Sequence, residues 1–166
     1  MSDLGFRVAL GGELKSPLSR AFLRFGSGGF ARRDFLMENA LMEVNRLSDR
    51  SFRQLKSSKT GEEFSLSAVI SGALGVKGLF LSHEILESGK SSSAPHFHEG
   101  TDEVIFVTKG RVVAKEGSEE LILEVGDSAC FKAQSGLPHV IRNESKEAAE
   151  FILIRCRLDQ SDVVYG

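Results

Sequence analysis

The sequence has no tryptophan, one tyrosine, two cysteines and four histidines among its 166 residues. Without tryptophan, aromatic packing depends on twelve phenylalanines, and seventeen glycines are typical of a chain with many tight turns. Neither Cys130 nor Cys156 belongs to a CxxC pair. We therefore expect both to be small buried side chains in a protein from a reducing compartment.

Long apolar runs are also missing, and none approaches the length of a membrane-spanning helix. A formal net charge of -2 gives no electrostatic reason to bind nucleic acid or an anionic membrane. The pair Arg32-Arg33 is similar to a twin-arginine export signal, but the charged, amphipathic segment 37–46 follows where an apolar core is required. We expect a cytoplasmic protein without nucleic-acid or membrane partners.

Three of the four histidines lie in two short segments. His96 and His98 are separated by one residue, so in an extended segment their side chains project from the same face. Glu103 opens a run of β-branched and aromatic residues, 104–108, that predicts the next strand. His139 is the natural fourth member of this group. Imidazoles and a carboxylate brought together across a hairpin are suitable metal ligands.

These segments resemble the two conserved motifs of the cupin superfamily. The first motif is matched by His96-x-His98-x4-Glu103-x6-Gly110. The second is matched by Gly126-Asp127, Phe131 and Gly136-x2-His139-x3-Asn143. This second motif has Gln134 where cupins usually have proline, and two extra residues between its first glycine and its histidine. The resemblance covers roughly residues 63–157 and is strongest to single-domain bacterial cupins.

The resemblance implies an all-β fold, a double-stranded β-helix or cupin jelly-roll barrel. The residue pattern before it adds an N-terminal extension that contains one helix. It also implies one divalent transition metal ion per chain, Fe, Mn, Ni or Zn, held by His96, His98, Glu103 and His139. Such a set leaves one or two coordination positions open, as in catalytic rather than structural sites. The alternative is a metal-free barrel in which these side chains hydrogen-bond to one another.

The residue pattern outside the motifs predicts the domain organisation. Apolar residues at Leu36, Ala40, Val44 and Leu47 form one helical stripe, so we predict a helix at about 31–47 within an N-terminal arm, residues 1–60. The polar stretch 48–63 is predicted to be a loop. Strand-like segments then recur every eight to twelve residues through the barrel, residues 61–166. The predicted strands are 64–70, 78–86, 94–98, 103–108, 111–115, 120–125, 128–132, 138–143 and 150–157.

Strand parity predicts the walls of the site. If Glu103 points inward to a metal, Ile105 and Val107 point inward with it, and Ile141 shares the parity of His139. We predict that these three side chains line an apolar pocket for a small-molecule ligand or substrate. A barrel of this size leaves room for about one such ligand.

The same parity turns two apolar residues outward. Val104 and Phe106 face away from the interior, and strands that are apolar on both sides are usually covered on both sides. The cover is predicted to be the N-terminal arm, a second subunit, or both. A homodimer is what the resemblance implies.

Two further polar residues, His83 and Asn143, are predicted to have structural roles and not to be metal ligands. The lone His83 is interpreted as a packed or surface residue, and Asn143 as a turn or hydrogen-bonding residue at a strand end.

The fold itself implies no reaction, because it supports many chemistries. A metal-dependent enzyme acting on a small polar molecule, isomerase- or dioxygenase-like, is the leading hypothesis. The alternatives are a non-catalytic ligand-binding or sensor protein and a structural protein in which the metal only stabilises the barrel. No separate general base is evident from the sequence, and no helix-turn-helix precedes the barrel.

Overall fold

The computed structural model of the chain describes residues 42–156 and 161–165. This part of the chain is built from eleven β-strands, one 3₁₀ turn and one single-turn α-helix. The strands are β1 Arg53–Lys56, β2 Glu63–Val69, β3 Leu79–Leu86, β4 His96–His98, β5 Glu103–Lys109, β6 Arg111–Glu116, β7 Glu119–Glu124, β8 Ser128–Phe131, β9 His139–Arg142, β10 Ala149–Cys156 and β11 Val163–Tyr165. The 3₁₀ turn is Leu47–Asp49 and the α-helix, α1, is Ile70–Ala73.

The strands form two antiparallel sheets. One has the order β1-β2-β3-β10-β5-β8, and the other has the order β11-β4-β9-β6-β7. Strands β3, β4 and β5 alternate between the sheets, and so do β8, β9 and β10, which is the winding of a jelly roll. The predicted all-β double-stranded β-helix is confirmed.

All nine predicted strands are present, with ends that differ by no more than two residues from the prediction. The predicted loop 48–63 is wrong in part, because it contains β1. All four residues of β1 are exposed, and the strand pairs only with β2 at the sheet edge. A strand without a buried face has no apolar alternation, so the hydrophobic pattern could not reveal it.

The helix predicted at about 31–47 lies largely outside the described residues, as do Leu36 and Ala40 of its stripe. Its last part is described and is not α-helical: Arg46 has an extended backbone, and Leu47–Asp49 forms the 3₁₀ turn. Val44 and Leu47 are exposed, so in residues 42–47 the stripe has no buried face to stabilise a helix. Within the described ranges, no helix is long and apolar enough to cross a membrane. The division at residue 60 stays a prediction.

The core lies between the two sheets. Its buried apolar side chains come from alternate positions of strands in both sheets. Its members are Leu86, Ile105, Val107, Val112, Ala114, Leu123, Phe131, Ile141, Ala149 and Phe151. On the outer face of β5, Val104 is half-buried and Phe106 is exposed, as strand parity predicts.

Both cysteines are exposed, so the prediction that they are buried is wrong. Cys130 and Cys156 lie on β8 and β10, next to Phe131 and Arg155. Phe131 points into the core, and strand alternation therefore turns Cys130 outward. Arg155 faces the interior of the barrel, and the same rule turns Cys156 outward.

Asn143 ties the end of β9 to two neighbouring loops and is fully buried. Its Nδ2 donates to the carbonyl oxygens of Leu86 and Glu147, both at 2.8 Å. Its Oδ1 accepts a hydrogen bond from the amide of Ser145 at 2.9 Å. The predicted hydrogen-bonding role is confirmed.

Asn143→Ala is expected to lower the free energy of unfolding by about 2–4 kcal/mol, because it leaves several buried polar groups unpaired at about 1–3 kcal/mol each. Denaturant titration of the purified protein measures the loss. Lys146→Ala, in the exposed part of the same loop, is the control and should change stability by no more than about 0.5 kcal/mol. Equal stability of both variants would contradict the assignment.

Candidate metal centre

Three strands bring the predicted ligands together. Strand β4 carries His96 and His98, both buried, with the half-buried Phe97 facing the other way between them. His139 opens β9 and is paired directly with His96. Glu103 opens β5 in the opposite sheet. One potential ligand atom from each of the four lies within 4.8 Å of the others.

The four side chains contact one another closely. Nε2 of His98 is 3.2 Å from Oε2 of Glu103, and Nε2 of His139 is 3.4 Å from Oε1 of the same carboxylate. The ring of His139 also stacks on Phe131, with centroids 4.1 Å apart and planes at 6°. This stacking fixes the imidazole plane and directs its Nε2 towards Glu103.

Hydrogen bonds outside the cluster decide which nitrogens are free. Nδ1 of His96 lies 3.0 Å from the carbonyl oxygen of Ala94, which can only accept, so Nδ1 carries the proton and Nε2 keeps its lone pair. Nδ1 of His98 lies 3.2 Å from Oδ1 of Asp162, and this carboxylate orients the second imidazole in the same way. Both rings therefore offer Nε2 to a metal.

Electrostatics prepares the cluster for a cation. Burial raises the pKa of Glu103, but the imidazoles of His139 and His98 outweigh burial and bring that pKa to about 2. The hydrogen bond to Glu103 raises the pKa of His98 and favours its protonated form, so a metal would have to displace the proton on its Nε2. Burial lowers the pKa of His96 and so favours its neutral form. An ionised carboxylate and a neutral imidazole are the forms that bind a metal.

The residues fit a divalent transition metal. Nε2 of His139 is buried and makes no well-aligned hydrogen bond, although it lies 3.4 Å from Oε1 of Glu103, so a metal would be a better partner for it. Two atoms that each lie about 2.1 Å from one ion are at most about 4.2 Å apart. The cluster needs to contract by only about half an ångström from its 4.8 Å span. The buried set of His96, His98, Glu103 and His139 could therefore hold a metal.

Asp162 supports the cluster from the segment that leads into β11. Its Oδ2 accepts hydrogen bonds from Oγ1 of Thr101 at 2.7 Å and from the amide of Gly100 at 3.1 Å. Burial raises its pKa, but the bonds from Thr101, His98 and Gly100 outweigh burial and lower the pKa to about 2. Strand β11 pairs with β4 and places Val163 opposite His98. Sequence reasoning missed Asp162, because only this pairing brings it to the site.

Asp162→Ala is expected to weaken metal binding about 10- to 100-fold, because His98 loses the carboxylate that fixes its ring and tautomer. Competition with a chromophoric chelator measures the affinity. Asp102→Ala is the matched control: its exposed carboxylate is adjacent to Glu103 but pairs with Lys132 at 2.8 Å. The control should keep the affinity of the parent protein, and an equal loss in both variants would contradict the orienting role.

Gln134 explains why the second motif lacks proline. Its backbone is left-handed, with φ at 61°, and its amide donates to the carbonyl oxygen of His98 at 2.8 Å. Proline fixes φ near -65° and has no N–H to donate. The glutamine therefore allows the loop before β9 to hold the strand that carries His98.

His83 lies apart from the cluster, as predicted. It is buried, with Nδ1 at 2.8 Å from Nη1 of Arg50 and Nε2 at 2.9 Å from Oε2 of Glu150. Both ring nitrogens are thus engaged in a separate polar group that joins β3 and β10 to Arg50, directly after the 3₁₀ turn. This geometry gives no reason to count His83 as a ligand.

Ile105, Val107 and Ile141 are almost completely buried in the core cluster. Their predicted role as pocket walls stays a prediction. Two cavities of this part of the chain, about 530 and 260 Å³ in volume, are lined by other residues, around Gly110 and around Pro95.

Comparison with known protein families gives a match. Residues 82–155 match the model of the cupin domain, and this stretch contains all four clustered residues. The chain therefore contains a stretch that matches the cupin domain. A search of curated protein sequences found no significant match.

Solved structures of several other proteins are similar to this one. A sugar phosphate isomerase from the cupin superfamily of Silicibacter pomeroyi is 27% identical with a TM-score of 0.59, over 61% of this chain and 65% of that chain. A candidate sugar phosphate isomerase from Acidithiobacillus ferrooxidans is 20% identical with a TM-score of 0.64, over 74% and 80%. Bacillus subtilis oxalate decarboxylase, which has Mn(II) centres, is 18% identical with a TM-score of 0.52, over 64% and 29%. The last two show a shared fold alone.

Proposed function

We propose that this protein is a metal-dependent enzyme that acts on a small polar molecule in an isomerase- or dioxygenase-like reaction. The observation that carries the proposal is the buried cluster of three imidazoles and one carboxylate, whose ligand atoms all lie within 4.8 Å of one another. Similarity to the Silicibacter pomeroyi sugar phosphate isomerase supports it, although this protein spans only 65% of that chain.

The proposed ligands are His96, His98, Glu103 and His139, which would hold one Fe, Mn, Ni or Zn ion per chain. When bound, the ion supplies Lewis-acid polarisation of a carbonyl or enediolate, or a binding position for O₂. The chain supplies one ionised ligand, Glu103, and three imidazoles. Behind them the proposed walls, Ile105, Val107 and Ile141, would keep water out and strengthen electrostatic interactions with the substrate.

A non-catalytic ligand-binding or sensor role is the second candidate. It is favoured by the state of the two carboxylates at the cluster. Glu103 contacts His98 and His139, and Asp162 accepts hydrogen bonds from Thr101 and Gly100. Carboxylates that are already engaged are poorly placed to accept a proton from a substrate. The structural barrel is the third candidate.

One experiment separates these functions. The protein, purified without a histidine tag, is analysed for metal, loaded with Fe, Mn, Ni or Zn, and incubated with sugar phosphates, keto acids and catechols while oxygen uptake and products are followed. About one metal per chain with turnover supports the enzyme, and His98→Ala should lose both. Saturable binding without turnover supports the binding protein, and metal with neither supports the structural barrel. No metal uptake contradicts the enzyme and the structural barrel.

We also propose that this protein is a cytoplasmic homodimer with an N-terminal arm, residues 1–60, and a barrel, residues 61–166. Support for a covered outer face comes from β5 and β10, where Phe106 is 43% exposed and Ile154 is half-buried. Light scattering at micromolar concentration tests the dimer. A monomer mass would contradict it.

A further inference from the structure

Arg155 is a cation placed directly at the candidate metal centre. On β10 it lies opposite Glu103 of β5 in the strand register. Its Nη1 is 3.8 Å from Oε2 of Glu103 and 3.5 Å from Nε2 of His98. The side chain is 28% exposed, so one side of the guanidinium faces the cluster while part of it can be reached by a ligand.

Phe80 restricts the movement of this guanidinium. It lies opposite Arg155 in the register of β3 and β10, and Cζ of the arginine is 4.7 Å from the centroid of the phenyl ring. A guanidinium stacked on an aromatic face gains cation–π attraction and keeps a defined plane. Arg155 is therefore held near the cluster by a contact that does not depend on Glu103 or His98.

A bound metal would compete with Arg155 for the same atoms. A bound ion would take the lone pair that Nε2 of His98 has once its proton is lost, and it attracts the carboxylate of Glu103 more strongly than a partly exposed arginine does. The guanidinium would then keep its charge and its N–H donors beside a second positive charge. Asp162, the other carboxylate at the cluster, already accepts hydrogen bonds from Thr101 and Gly100.

We propose that Arg155 binds the anionic group of the substrate, and that this protein acts on a small carboxylate or phosphate ester rather than on a neutral polar molecule. An anion between the metal centre and Arg155 would neutralise both cations and accept two parallel N–H donors from the guanidinium. Phe80 holds those donors in place before the anion arrives. The proposal deepens the proposed function and rests on the metal centre assigned there.

The test uses Co²⁺, whose visible absorption reports on its ligands. Metal uptake by the metal-free protein is measured first, and acetate, oxalate and inorganic phosphate are then titrated into the Co²⁺-loaded protein. At least one of these anions should bind saturably, and comparison of the carboxylates with phosphate identifies the class. Arg155→Gln should weaken anion binding roughly 10- to 100-fold, because the anion loses a pair of charge-assisted hydrogen bonds. Arg155→Lys, which keeps the positive charge, should bind the anion more tightly than Arg155→Gln does.

Lys132→Gln is the matched control, because it removes one positive charge from an exposed ion pair with Asp102, next to Glu103. It should leave the anion affinity of the parent protein unchanged. Arg155→Gln should also bind Co²⁺ more tightly than the parent protein, since it removes a like charge from the site. Anion binding that is equal in Arg155→Gln and the parent protein would overturn the proposal, and so would weaker Co²⁺ binding by this variant. Failure of the parent protein to take up metal would overturn the metal centre itself.

Discussion

Glu103→Gln is expected to abolish metal binding at stoichiometric concentration and to lower the affinity at least a thousandfold. The substitution keeps the size of the side chain but removes the single negative charge among the four candidate ligands. The effect should exceed the roughly 10- to 100-fold loss typical of residues that only orient a ligand. Chelator competition with Zn²⁺ and with Mn²⁺ measures the affinity, and elemental analysis gives the stoichiometry.

Glu99→Gln is the matched control for this result. Glu99 is the other carboxylate near the two histidines in sequence, directly after His98, but its side chain is exposed. Both variants change the net charge equally, so they separate coordination from general electrostatic attraction. A Glu103→Gln protein that keeps a full equivalent of tightly bound metal would contradict the assigned ligand set, as would an equal loss in Glu99→Gln.

The arrangement of the four clustered residues was predictable because each step depended on local rules. Alternation along β4 places His96 and His98 on one face, and the apolar run after Glu103 marks β5. Strand β9 was recognisable around His139 for the same reason. The pairing of His139 with His96 and the approach of Glu103 from the opposite sheet are tertiary facts, and the cupin motifs supplied both in advance.

Asp162 and Arg155 were missed because their positions depend on strand pairing across the sheets. Arg155 has the same parity as the buried Phe151. It lies next to the last residue of β10, a strand that is apolar on both faces, so alternation alone does not predict whether Arg155 faces inward or outward. Asp162 precedes a strand of three residues, β11, which is too short to give a periodic signal. Register with β5 and β4 brings both residues to the cluster.

The hydrophobic pattern also did not predict the secondary structure of segments that have no buried face. Strand β1 is exposed along its length and was predicted as a loop. Val44 and Leu47 have the spacing of an apolar helical stripe, yet residues 42–46 are not helical. Both side chains are exposed, and a short helix is stable only where its apolar face packs against another element. Hydrophobic periodicity indicates which residues are buried. It therefore does not predict the secondary structure of a segment, such as β1, that has no buried face.

The metal-free protein is expected to lose stability in acid, most steeply between pH 4.5 and 2. Glu103 has a pKa of 4.5 in the unfolded chain and about 2 in the folded protein. Its ionisation therefore stabilises the fold above pH 4.5 by about 3 kcal/mol, and the contribution is lost as the pH falls towards 2. Asp162, with a pKa lowered to about 2, acts in the same direction.

The two perturbed histidines act in opposite directions, and neither removes this loss. Because the pKa of His96 is lowered in the folded protein, His96 destabilises the fold as the pH falls below 6.5, the ordinary pKa of histidine. Because the pKa of His98 is raised, His98 stabilises the fold below pH 6.5, and this contribution is lost as the pH rises through its folded-state pKa. Urea titrations of metal-free protein from pH 7 to pH 3 measure the dependence. Glu103→Gln should flatten the curve below pH 4.5, and the exposed Glu99→Gln should follow the parent protein. An unfolding free energy that is equal at pH 6 and pH 3 would refute the coupling, because a buried carboxylate held by imidazoles must bind its proton more weakly than an unfolded one.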